Sequence, residues 1–196
     1  MTRQEKVGLA ALAAVALAPV PAFAHVGVGP TSGFGNGLLH PLTGIDHLAA
    51  MVAVGLWAAQ QGKRAVWAVP LAFVATMALG GALGMAGLAL PYVEQGIAAS
   101  VLVLGVLIAA AARLPLAAGM LLVAVFALFH GHAHGAEMPS TASGLAYGAG
   151  FVAATALLHA CGVGLGLTLK KLERPAALRF AGAAVALCGV GLLLAR

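Results

Sequence analysis

The chain has 196 residues, 62% of them hydrophobic and only 8% charged, with a formal net charge of +5. Soluble domains carry about 25% charged residues, so this chain has too few polar groups for a water-facing surface, and a mean hydropathy of +1.05 assigns it to a bilayer. Five net positive charges on so apolar a chain point to membrane orientation rather than nucleic-acid binding, and two cysteines exclude a disulfide scaffold.

At the N-terminus, Arg3 and Lys6 form a short positive region ahead of the apolar run Val7 to Ala18. Twelve residues are too few for the ~20 that a spanning helix needs. Pro19 and Pro21 break the run, and Ala22-Phe23-Ala24 offers the small residues of an A-x-A cleavage site. Residues 1–24 therefore read as a cleaved signal peptide and residues 25–196 as the mature membrane domain. Cleavage after Ala24 leaves His25 as the first residue. Its α-amine and imidazole can chelate a borderline-soft metal or simply face water.

Six apolar stretches follow, over residues 38–59, 65–90, 95–112, 115–131, 143–169 and 176–195. Each is long enough to cross about 30 Å of hydrocarbon as a helix, the fourth only just. The expected fold is thus all-α, a six-transmembrane-helix bundle. With the mature N-terminus outside, the loops after the first, third and fifth spans and their flanks hold Lys63, Arg64, Arg113, Lys170, Lys171, Arg174 and Arg179. The outer connections hold Glu94 and Glu137 and no Lys or Arg. By the positive-inside rule both mature termini lie outside the cytoplasm. Small residues at three- and four-residue spacing, such as Gly80, Gly84 and Gly87, mark close helix crossings.

The chemistry lies in two polar clusters. In His40-Pro41-Leu42-Thr43-Gly44-Ile45-Asp46-His47, Pro41 suits the first helical position and puts His40 near the N-cap. His40 and His47, seven residues apart, would then share a helix face to within about 20°. Asp46 is placed either to ligate or to orient His47. An ionisable group inside a membrane segment costs about 2.5–3.5 kcal/mol or more, which makes it a functional candidate. The second cluster is Phe129-His130-Gly131-His132-Ala133-His134-Gly135-Ala136-Glu137. If helical, it sets His130, His134 and Glu137 on one face and His132 on another, whereas a loop through Gly131 and Gly135 would gather them differently. Imidazoles with carboxylates suit Ni²⁺, Co²⁺ or Zn²⁺ as a passing ion rather than a permanent cofactor. The charge-based topology puts both clusters on the same outer side without using any histidine as input.

His159 lies about 24 Å down the fifth span. It is an inner relay, with Cys161 beside it, or a buried histidine bonded to a carbonyl. Cys188 and the methionines Met51, Met77, Met85 and Met120 read as packing residues.

Together these motifs resemble the hydrogenase/urease accessory nickel permeases of the HupE/UreJ family. H-x5-D-H matches His40, Asp46 and His47, and F-H-G-x-[AV]-H-G-x-E matches Phe129, His130, Gly131, Ala133, His134, Gly135 and Glu137. The segment ATALLHACG, residues 154–162, is similar as well, and the likeness covers nearly the whole chain. His132 occupies a variable motif position and gains no support as a ligand. The resemblance implies an inner-membrane permease that passes nickel indirectly to the maturation of hydrogenase or urease, and a homo-oligomer is compatible with it. No G-x-x-x-x-G-K-[ST] phosphate loop occurs, so ATP hydrolysis and other enzyme activity are not expected. The competing readings are a membrane metal sensor or metallochaperone that binds without transporting, and a haem-binding electron-transfer bundle. Against haem, the histidines keep company with carboxylates near one surface.

Overall fold

In the computed structural model, residues 33–138 and 142–195 are described, so the segment read as a signal peptide and His25 lie outside them. Seven α-helices and no strand occur among the described residues: α1 (Phe34–Thr43), α2 (Ile45–Gln61), α3 (Ala65–Met85), α4 (Val93–Ala109), α5 (Leu116–Glu137), α6 (Ala142–Lys171) and α7 (Pro175–Leu194). Pro115 caps α5 and Pro175 opens α7, positions where a missing N–H costs nothing. At the other end of α2, Gly62 has φ +72° and returns its N–H to Ala58, a glycine C-terminal stop.

Four helices, α3, α5, α6 and α7, are long and apolar enough to cross a membrane. The broken pair α1–α2 is a fifth if it counts as one span, while α4, at 17 residues, is shorter than the ~20 expected. Here the first expected span needs correction. Instead of one continuous helix beginning at Pro41, two helices meet at 86°. Gly44 adopts φ −94°, ψ 119°, an extended conformation that ends α1, and Pro41 lies inside α1 rather than at a helix start. His40 and His47 therefore sit on different helices and do not share one face. Thr43 closes α1 by donating its hydroxyl to the His40 carbonyl at 2.7 Å.

Helix α2 is the buried axis of the bundle, with Met51, Val54 and Trp57 wholly inaccessible among Phe73, Leu104, Ile108 and Val123. The outer surface is apolar too: Trp67, Leu71, Leu121 and Leu157 are each at least 60% exposed. Such a surface belongs in hydrocarbon, where helices associate through close packing rather than through the hydrophobic effect. Glycines supply that closeness. A Cβ on Gly131 of α5 would strike the Met77 carbonyl of α3, and one on Gly55 of α2 would strike the His159 carbonyl of α6.

The ends of the bundle differ in charge. Trp57 and Gln60, near the end of α2, donate to the Ala112 and Ile108 carbonyls at 3.2 and 3.1 Å, and Arg179 donates to the Ala109 carbonyl at 2.8 Å. The basic loops after α2, α4 and α6 are thereby gathered at one end, and the two histidine motifs meet at the other.

Candidate metal centre

Helix α2 begins with the sequence Ile45-Asp46-His47, so Asp46 and His47 occupy its first turn. Both are buried, at 0% and 1% exposure. One carboxylate oxygen of Asp46 accepts the backbone N–H of His47 at 2.7 Å and lies 2.8 Å from its ring Nδ1. A carboxylate on Nδ1 holds the proton there and leaves Nε2 as a lone pair facing outward from the pair. Of the two roles open to Asp46 from sequence, the geometry displays the orienting one. Gly44 makes room for it, since a Cβ there would stand 2.9 Å from the same carboxylate oxygen.

The helical alternative for the second motif holds, because α5 continues unbroken to Glu137. His130 and His134, four residues apart, face the interior together and are both buried. His134 Nε2 lies 2.6 Å from His47 Nε2, joining residues 87 positions apart in the chain. Two lone pairs cannot face each other at that distance, so one proton lies between them. Two imidazoles on one ion at about 2.0–2.1 Å would stand roughly 3 Å apart, a few tenths of an ångström from the present spacing.

The other histidines are arranged around this pair. The His40 ring, half-buried on α1, is 4.6 Å from that of His134 and 6.4 Å from that of His47. His130 lies 4.8 Å from His47, and its Nε2 is 2.9 Å from the Ser100 hydroxyl, which itself donates to the Ile97 carbonyl. That hydroxyl fixes the His130 ring, so His130 acts as an oriented neighbour of the pair. Among the described residues no three His, Cys, Asp or Glu side chains close into a complete coordination set. The arrangement is a buried pair of imidazole nitrogens with a carboxylate behind one of them.

Three expected residues stand apart. His132 points away from the cluster and places Nε2 2.6 Å from the Leu88 carbonyl. Glu137, although on the last turn of α5, is exposed rather than enclosed with the histidines. His159 is buried on α6 and packs at a right angle to Phe73, ring centroids 5.0 Å apart. Neither of its ring nitrogens has a hydrogen-bond partner among the described residues, so the carbonyl-bonded alternative does not hold, and Cys161 is exposed.

The chain matches the family model described as HupE / UreJ protein over residues 12–192. It belongs to the HupE/UreJ family. Protein HupE of Rhizobium leguminosarum bv. viciae is 50% identical to it over 184 residues, covering 93% of this chain and 95% of that protein. No solved structure is significantly similar to it.

In this HupE/UreJ chain, the structure also assigns neighbours that the motifs did not single out. Phe151 packs 4.4 Å from the His134 ring and 5.9 Å from His47, and Tyr147 lies 5.8 Å from His40. Ser100 was detectable as a lone hydroxyl in an apolar run. Phe73, Tyr147 and Phe151 carried no such signal, because an aromatic residue in a greasy helix looks like packing.

Proposed function

We propose that the protein is an inner-membrane permease that moves Ni²⁺, or Co²⁺, from periplasm to cytoplasm for hydrogenase or urease maturation. The observation that carries this reading is the 2.6 Å approach of His47 Nε2 to His134 Nε2, backed by Asp46 and enclosed by helices apolar enough for a membrane. The ion exchanges part of its water shell for these two nitrogens. His40 and His130 stand beside the pair, where their rings must shift to join the set, and the carboxylate of Glu137 stands at the exposed rim to attract cations.

A mouth with two strong nitrogen donors suits transport, since a site that encloses its ion completely releases it slowly. The chain works without ATP. A divalent ion moving inward gains about 4.6 kcal/mol per 100 mV of inside-negative potential, from ~2.3 per charge. In the proposed topology the signal peptide 1–24 is removed, the broken pair α1–α2 and the short α4 each count as a crossing, and the six crossings leave both mature termini in the periplasm. The basic loops then face the cytoplasm and the histidines the periplasm.

Uptake of labelled nickel by cells lacking their own nickel importers tests the reading. Wild type should accumulate nickel saturably, and His134→Ala at matched membrane abundance should not. Competition by cobalt and zinc ranks the ions. A well-expressed wild type that binds nickel without accumulating it would instead be a sensor or metallochaperone.

A further inference from the structure

We propose that His159 is a second, inner cation station, separated from the outer histidines by the side chain of Phe73. The inference rests on the permease reading and adds a second binding site to the route.

His159 is 2% exposed and sits 12 residues before Lys171, about 18 Å from the inner end of α6. Both ring nitrogens lack partners among the described residues. A buried polar group left in that state costs about 1–3 kcal/mol in proteins, and native interiors rarely tolerate it without a purpose. A cation in transit supplies the partner for the lone-pair nitrogen.

The position of Phe73 defines what lies between the stations. Its ring is wholly buried, 5.7 Å from that of His130 and 5.0 Å from that of His159. His130 in turn touches His47 at 4.8 Å, so the row of imidazoles is interrupted by one apolar ring. Two cavities flank the interruption. One, of about 310 Å³, reaches His134 among Met77, Met138, Tyr147 and Phe151. The other, of about 580 Å³, reaches His159 among Val66, Pro70, Val163 and Gly164 toward the basic end of the bundle, and its rim includes Trp67 and Leu71 of the apolar outer surface. Phe73 lines neither cavity, so the outer one ends at one imidazole and the inner one begins at another.

The inner station is built for weak binding. One turn outward on α6, Thr155 gives its hydroxyl to the sulfur of Met77, which lines the outer cavity, so neither heteroatom belongs to the inner one. A single imidazole in a largely apolar lining holds an ion briefly and passes it inward, as a multi-site pathway requires. Movement of the Phe73 ring is then the step that admits an ion from one station to the next.

Equilibrium dialysis of purified full-length protein against Ni²⁺ tests the station. Wild type should bind two ions, His159→Ala should lose the weaker, and Asp46→Asn should weaken the tighter by 10- to 100-fold. The barrier is tested with a small cationic thiol reagent applied to sealed vesicles carrying His159→Cys in a Cys161→Ser, Cys188→Ala background. The new thiol should react from one membrane face when Phe73 is present or replaced by Leu, and from both faces with Phe73→Ala. Equal nickel stoichiometry in wild type and His159→Ala, or equal labelling from both faces with Phe73 in place, would overturn the proposal. Two bound ions without cellular uptake would overturn the permease reading and leave the station standing.

Discussion

Replacing Asp46 by Asn isolates the charge behind the proposed metal site. Both hydrogen bonds to His47 end on one carboxylate oxygen, at 2.7 and 2.8 Å. The amide oxygen of Asn can occupy the same place and accept both, so His47 keeps its tautomer and orientation. What disappears is one negative charge, which stands roughly 7 Å from an ion on His47 Nε2 at an ordinary metal–nitrogen distance. Between a unit charge and a divalent ion that separation is worth about 1 kcal/mol in water and about 5 kcal/mol at an effective dielectric of 20. Loss of a carboxylate behind a ligating histidine typically costs 10–100-fold in affinity, or about 1.4–2.7 kcal/mol, inside that bracket. The Kd for Ni²⁺, read by isothermal titration calorimetry on purified protein, should therefore rise 10- to 100-fold, and the apparent KM for uptake should follow. Membrane abundance and helical content should not change. An Asn variant within twofold of wild type in Kd would refute the assignment of Asp46 as the electrostatic partner of the site.

Other substitutions probe separate links in the argument. His132→Ala should leave nickel uptake within about twofold of wild type, since its imidazole is directed at the Leu88 carbonyl rather than the cluster. Ser100→Ala removes the hydroxyl that fixes His130 and should cost about 1–3 kcal/mol of stability, seen as a lower Tm in detergent, together with a several-fold loss of uptake. Gly131→Val drives a side chain into the Met77 carbonyl and parts α3 from α5. Overpacking of this kind costs about 1–3 kcal/mol or more, and membrane abundance, read by immunoblot, should fall sharply. A phosphatase reporter active only outside the cytoplasm should work when fused after Arg196 and fail when fused after Arg64 or Lys171.

The residues of the site were more legible in the sequence than the path that brings them together. His130 and His134 are four apart in a helix former-rich segment, and α5 places them on one face as helical periodicity requires. The exclusion of His132 follows from the same period. For His40 and His47 the same arithmetic failed, because it assumed that the helix runs through Gly44. The chain instead turns 86° there, and the two rings approach by folding back rather than by lying two turns apart. Glu137 fits the same period, since α5 persists to it, and it stands exposed on the last turn of that helix. Long-range partners such as Phe73 for His159, 86 positions away, have no local trace in either neighbourhood.

The break at Gly44 also explains why a carboxylate must accompany this histidine. A helix N-terminus carries about half a positive charge, and His47 lies on the first turn of α2, where a cation is disfavoured. His134 lies on the last turn of α5, where the opposite end of a helix dipole favours one. An ion at the proposed site would be set between a repelling and an attracting helix end, and Asp46, in the same first turn as His47, reverses the sign at the repelling side. A continuous first span would have carried both motif histidines along one helix and left the second motif to approach from the side. Breaking the span directs a helix end into the bundle, and only then does an aspartate immediately before the histidine serve as dipole compensation, tautomer control and counter-charge at once.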